Sequence, residues 1–317
     1  MPNPLNGQYP ALSATNISHS TEQLHASEVL TLGALAAIWG ASFILMRLVV
    51  PDLGAIFTAD IRILIAALAL LGFAHARQIP LAWRLNLKAY ALAGLFGAAL
   101  PFALFCYAAQ HLPAAMSALL NATSPLFGAF FAIAVWRTEQ LNPRKFIGLL
   151  LGLVGVALLL SSGAPLNSNY HWLAITACLA APACFALSAI VVKLHTCHTS
   201  NLSRPDRITP IAMAAGSMTA AAVIILPSLP FFLPAHLPST GTLGLVVALA
   251  LIPSALAQIL YIPLVTKMGA TRAMSVAFLI PVFSALWGFL FLHESIGIFC
   301  ALGGLIVLAG IRLILTT

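Results

Sequence analysis

Charge is what this sequence has least of. Of its 317 residues only 7% are Asp, Glu, Lys or Arg, and 61% are hydrophobic. A soluble domain carries about 25% charged residues, so a chain this poor in charge cannot clothe a water-facing surface. With a mean hydropathy of +1.03, it reads as a polytopic membrane protein, not a soluble enzyme or a disordered chain. The formal net charge of +7 does not point to nucleic acid, because the 14 Lys and Arg are scattered and form no basic stripe. Cysteines are few and unpaired: Cys106, Cys178, Cys184, Cys197 and Cys300 fall mostly in apolar runs and read as buried free thiols.

Chemical motifs are missing as well. There is no Walker loop, no Gly-x-Ser-x-Gly elbow and no His-Glu-x-x-His helix, which removes an ATP-driven pump and two hydrolase classes. His195, Cys197 and His198 cluster in sequence but lack a fourth ligand at metal-binding spacing, so no metal and no cofactor is expected. Residues 1–28 hold no Lys or Arg and are rich in Ser, Asn and Pro. A secretory signal would need a cationic start followed by an apolar core, so these residues are read as a disordered cytoplasmic arm.

What is present is long apolar runs. A spanning helix needs about 20 apolar residues, and breaks at Pro, Gly and charge place spans near 29–50, 56–76, 88–109, 114–136, 145–161, 171–193, 208–229, 241–265, 272–292 and 296–315. Continuous runs without alternation exclude a barrel. If the N-terminus is cytoplasmic, 12 cations fall on that side, and only Arg47 and Arg62 lie opposite. That bias predicts cytoplasmic termini.

Landmarks recur along the chain. Pro125 and Pro281 are 156 positions apart, and Glu139/Glu294, Gly148/Gly303 and Gly155/Gly310 keep an offset of 155. Pro101/Pro253 follow at 152, and Ser42/Ser188 and Arg47/Lys193 at 146. The chain therefore reads as a duplication, 29–161 and 171–317, joined by a linker at 162–170. Five spans per half make the second copy enter from the opposite face, with Glu139 inside and Glu294 outside. The expected fold is all-α, with ten transmembrane helices as two inverted five-helix repeats, an architecture of secondary transporters.

The motifs Trp39-Gly40-Ala41-Ser42-Phe43, Arg62, Pro125…Glu139…Gly148 and Pro281…Glu294…Gly303 resemble two EamA domains of the drug/metabolite transporter superfamily. The resemblance covers about residues 29–315. It implies a carrier of small metabolites, often amino acids and often outward, in a bacterial inner membrane. Two departures stand out: Pro125 to Glu139 is one residue longer than Pro281 to Glu294, predicting a bulge late in span four, and Phe185-Ala186 replaces Trp39-Gly40 in the second half.

Prolines inside spans free the carbonyl four residues back. Pro101, Pro125, Pro253 and Pro281 therefore mark either a central cavity or kinks needed for packing. Ser117, Asn121, Ser124 and Gly128 share one face of span four, open to reading as a substrate wall or as interhelical hydrogen bonding. The matching stripe on span nine, Ala273, Ala277, Ile280 and Ser284, is mostly smooth. Trp39 with Ser42, and Phe185 with Ser188, repeat one pattern, while Tyr107 and Tyr261 read as interface anchors or pocket residues. The glycines Gly148, Gly152, Gly155, Gly303, Gly304 and Gly310 suggest close helix packing.

Asp60 and Arg62 lie near the outer end of span two, and Arg47 near that of span one. An ion pair of Arg47 with Asp60 or Asp52, serving as gate or anchor, stands beside a proton-carrying role for Asp60, His75 or His111. The resulting expectation is an exporter of small amphipathic metabolites by alternating access. Its partners are its solute and the bilayer, and it is a monomer or weak homodimer. An uptake or exchange carrier of nucleotide sugars or sugar phosphates is the alternative, and it would need several buried cations. An intramembrane enzyme would need a carboxylate partner for Asp60.

Overall fold

The computed structural model describes residues 26–112, 114–131, 142–161, 172–198, 208–234, 236–292 and 298–315, and every structural statement below concerns these. Among them all regular structure is helical. The apolar runs become α1 (Ala26–Leu53), α2 (Ala55–Ala76), α3 (Trp83–Gly94), α4 (Leu100–His111), α5 (Ala114–Asn121), α6 (Ser124–Phe130) and α7 (Pro143–Ser161). The second half gives α8 (Trp172–His198), α9 (Pro210–Ile225), α10 (Thr240–Ala250), α11 (Ala257–Met268), α12 (Ala270–Met274), α13 (Val276–Leu292) and α14 (Ile298–Leu315).

Six helical rods are long and apolar enough to cross a bilayer: Ala26–Leu53, Ala55–Ala76, Trp83–His111, Trp172–His195, Pro210–Phe231 and Thr240–Met268. The other four expected spans coincide with shorter helical pieces, namely α5 with α6, α7, α12 with α13, and α14. Spans four and nine are both broken: the first break falls just before Pro125, as expected, but the second falls at Ser275, while α13 runs on through Pro281 where a break was expected. The breaks have a local cause, because hydroxyl side chains offer the backbone a partner outside the helix ladder. Thr123 Oγ donates to the Leu120 carbonyl at 2.6 Å, and Ser275 Oγ donates to the Arg272 carbonyl at 2.6 Å. The third and eighth rods are each loosened by a π-type turn, at Leu95–Ala99 and Leu251–Leu256.

Rod ends follow from the residues there. Thr209 and Ser239 cap α9 and α10 by accepting from the amides of Ala212 and Thr242, each at 3.1 Å, which satisfies a donor that helix geometry leaves orphaned. Gly54 (φ 77°) reverses the chain between α1 and α2, and Gly269 (φ 87°) does so between α11 and α12. An L side chain at either φ would be strained.

The core is built largely from alanine. Ala36, Ala59, Ala66, Ala214, Ala221 and Ala257 are buried between rods, and small residues let helices approach closely. Large apolar side chains such as Leu68, Val154 and Leu305 point outward at 57–64% exposure. Such broad apolar coverage suits lipid, not water.

Two pairings organise the bundle. α2 lies along α9, and α7 along α14. At the second, a Cβ on Gly148 would meet the Gly310 carbonyl at 2.8 Å, and one on Gly155 would meet the Gly303 carbonyl at 2.8 Å. Rising numbers on α7 thus face falling numbers on α14, so the two helices run antiparallel. Every rod except α7 and α14 contributes to the wall of a central hollow.

Candidate functional site

Helices α1, α2, α4, α8, α9 and α11 converge with both broken rods around one pocket, with about 1000 Å³ of atom-free space counting its open mouth. Its walls are aromatic. Trp39 and Tyr261 meet edge to face at 5.2 Å between ring centroids, Phe43 and Phe105 at 5.7 Å, and Phe105 stacks on Phe185 at 6.0 Å. The indole N–H of Trp39 donates to the Pro253 carbonyl at 3.0 Å and so ties α1 to the eighth rod.

Polar groups sit between the rings. Ser42, Asn121, Ser124, Phe185, Ser188 and Trp39 all line the pocket, together with Arg62, Ser217, Gln258 and Tyr261. Ser188 Oγ donates across to the Ala93 carbonyl at 3.0 Å. Ala277 and Ile280 supply the smooth face expected of span nine. Two expected residues lie elsewhere. Ser117 is buried beside Cys178, whose Sγ lies 3.9 Å from its carbonyl. Tyr107 packs on His111 with ring centroids at 4.9 Å. It follows the buried Phe105 and Cys106, and helical rotation turns it away from the hollow.

The prolines show how a broken helix is kept satisfied. Pro125 deprives the Asn121 carbonyl of its helical donor, and Ser124 Oγ donates to that carbonyl at 2.6 Å. Pro253 does the same to Leu249, and Ser254 Oγ donates there at 2.9 Å. A hydroxyl beside the proline thus replaces the lost N–H, while the loosened turn still faces the hollow. The cavity and packing readings are compatible. Pro101 and Pro281 are buried within α4 and α13, beside the lining residues Phe102 and Ile280.

The charged residues part company. Asp60 accepts from Ser228 Oγ at 2.6 Å, and Asp52 accepts from Thr242 Oγ1 at 2.6 Å. The expected ion pair of Arg47 with either carboxylate is not found among the described residues, because both acids are taken up by hydroxyls and Arg47 is exposed. Arg62, two residues beyond Asp60, points into the cavity and is only 2% exposed. Positions two apart on a helix lie on nearly opposite faces, so one side chain looks toward the 3-10 turn Leu226–Phe231 that follows α9 and the other inward.

Of the pair read as interface anchors or pocket residues, Tyr261 lines the cavity; sequence reasoning missed Gln258 in its wall, and Ser254 behind it, for which the adjacent proline was the available signal. Glu139, Glu294 and the expected bulge late in span four lie outside the described residues. Among the described residues no cluster of His, Cys, Asp or Glu could hold a metal ion. His195 Nδ1 lies 2.9 Å from the Val191 carbonyl, and the Cys197 and His198 side chains are outside the description.

A multi-pass integral membrane protein with an aromatic and amide-lined hollow among its helices belongs with the transporters. The chain is a member of the EamA-like transporter family, which matches it over residues 27–161 and again over 172–316. It is similar to the uncharacterized transporter YvbV of Bacillus subtilis, 26% identical over 291 residues that cover 90% of this chain and 91% of that protein. It is 30% identical to the uncharacterized inner membrane transporter YedA of Escherichia coli, covering 81% of this chain and 80% of the relative. A probable terminal-alkyne amino-acid exporter of Streptantibioticus cattleyicolor is 25% identical, covering 87% and 89%. A crystal structure shares the fold with a TM-score of 0.71 at 19% identity, covering 92% of this chain and 96% of the other.

Proposed function

We propose that this protein is a secondary carrier that exports small amphipathic metabolites, amino acids among them, by alternating access through the central cavity. The observation that carries the reading is the cavity itself: its walls come from both family-matched stretches, and each contributes aromatic rings and one amide, Asn121 from the first and Gln258 from the second. A smooth, ringed pocket with a few polar groups suits a solute with an apolar body and a polar end.

Helix contacts support two inverted repeats of five spans. Exchanging the halves maps the packing of α1 on α13 onto that of α8 on α5 and α6, and the packing of α4 on α8 onto that of α11 on α1. The pairs α2 with α9 and α7 with α14 map onto themselves. Under the offset of 155, the contact Gly148–Gly310 becomes Gly303–Gly155, which is also present. Such reciprocity marks a two-fold relation, and the antiparallel crossing of α7 and α14 fits an axis in the membrane plane. Together with the cation bias, this supports cytoplasmic N- and C-termini in a bacterial inner membrane.

The test is counterflow in vesicles containing purified protein, screened against amino acids and small carboxylic and amine metabolites. Exchange of a labelled solute that stops when the protein is omitted is the expected result. Failure of every solute class to exchange, with folded protein in the vesicles, would refute the carrier reading.

A further inference from the structure

We infer that Arg62 is the anion-binding group of this cavity, and that the solute admitted carries a single carboxylate. The inference rests on the carrier reading, since it assigns chemistry to the same hollow. A guanidinium has five N–H donors. In Arg62, Nε donates to Ser254 Oγ at 2.6 Å, Nη1 lies 3.6 Å from the weak acceptor Met46 Sδ, and Cζ sits 3.9 Å over the Phe102 ring. Among the described residues no carboxylate or carbonyl takes up the remaining donors.

Burying an unpaired charge is expensive, and buried cations are ordinarily matched by anions. The acids that might have served are committed elsewhere: Asp60 to Ser228, on the opposite face of α2, and Asp52 to Thr242. Ser254 is itself oriented, because its hydroxyl hydrogen goes to the Leu249 carbonyl freed by Pro253 and its lone pairs are left to face Arg62. The relay fixes the Nε edge of the guanidinium and leaves its far edge to the hollow. That edge matches a carboxylate in fork geometry.

Among the described residues Arg62 is the one charged group lining the pocket. A phosphate dianion would call for more cations than one, and a lone amine would find amide oxygens but no anion to offset the like charge of Arg62. The aromatic rings take the apolar body. The amide of Gln258, which makes no hydrogen bond among the described residues, and that of Asn121 offer oxygens to an α-ammonium, so an amino acid fits but the ammonium is not required.

Calorimetric titration of the purified full chain with hydrocinnamate, its neutral amide and phenethylamine tests the assignment on the unaltered protein. Hydrocinnamate is expected to bind, with the amide and the amine weaker by about tenfold to a hundredfold, the range for losing hydrogen bonds to a charged group. R62M should lose that preference, and R62K should keep part of it. Equal binding of all three probes, no binding of hydrocinnamate, or an undiminished preference in R62M would overturn the inference. The three-probe comparison stands even if R62M fails to fold. Labelled hydrocinnamate in vesicles separates the two readings. Arg62-dependent binding without flux sinks the carrier and spares the anion site; phenethylamine flux untouched by R62M does the reverse.

Discussion

Replacing Gly155 with Ala puts the packing of α7 on α14 to a direct test. The new Cβ would lie 2.7 Å from the Val307 amide nitrogen and 2.8 Å from the Gly303 carbonyl oxygen. Ordinary contact begins near 3.4 Å, so it intrudes by about 0.6–0.7 Å on two backbone atoms that have no rotamer to change. The helices must separate, and overpacking of this kind costs about 1–3 kcal/mol. Alanine returns about 1 kcal/mol of helix propensity over glycine, which a control must cancel. Gly72 on α2 supplies it, because a Cβ there would meet nothing within 4 Å. G72A should be neutral or stabilised, and G155A should fall below it by about 1–3 kcal/mol. At about 2–4 °C per kcal/mol for a chain of this size, thermal unfolding in detergent resolves the gap. If G155A melts with or above G72A, the close glycine crossing is wrong.

Two further outcomes are expected. Asn121→Ala should lower transport at least several-fold while leaving the amount of folded protein nearly unchanged, because the lost amide faces the cavity; equal loss of both in a flux and expression comparison would make its role structural. Ser254→Ala removes the donor to Leu249 and the acceptor of Arg62, so it should cost about 1–3 kcal/mol. Adding Pro253→Ala, which restores an N–H to the rod, should recover part of that loss in a double-mutant cycle, and strict additivity would show that the hydroxyl does not serve the freed carbonyl.

The helices were legible because lipid imposes one rule, that backbone groups be satisfied within apolar rods, and the runs from 29–50 onward obey it. Their ends were less so. α1 extends through Pro51 to Leu53, and the third rod starts at Trp83, because polar flanks continue a helix without changing its hydropathy. Helical spacing put Asn121 with Ser124, and Trp39 with Ser42, each on one face of its helix, and it is the packing of the rods that turns both faces toward one hollow. Arg62 could not be placed that way. Linear depth set it beside Asp60 as an outer-end charge, whereas rotation about the helix axis sends the two in opposite directions. Gln258 was missed, and Tyr261 left between anchor and pocket, for a related reason: the eighth rod carries a π-type turn at Leu251–Leu256 that shifts its helical phase, and no apolar pattern announces it.

The seam of α7 and α14 interlocks main chain with main chain. Such a coupling has a single way to fit, like a dovetail, and nothing in it can repack to accommodate sliding. Conformational freedom is better sought in the joints that are not locked this way, the loosened turns at Leu95–Ala99 and Leu251–Leu256, the second of which is held by the single hydroxyl of Ser254 on the freed Leu249 carbonyl. A mutational search for altered turnover is best begun there.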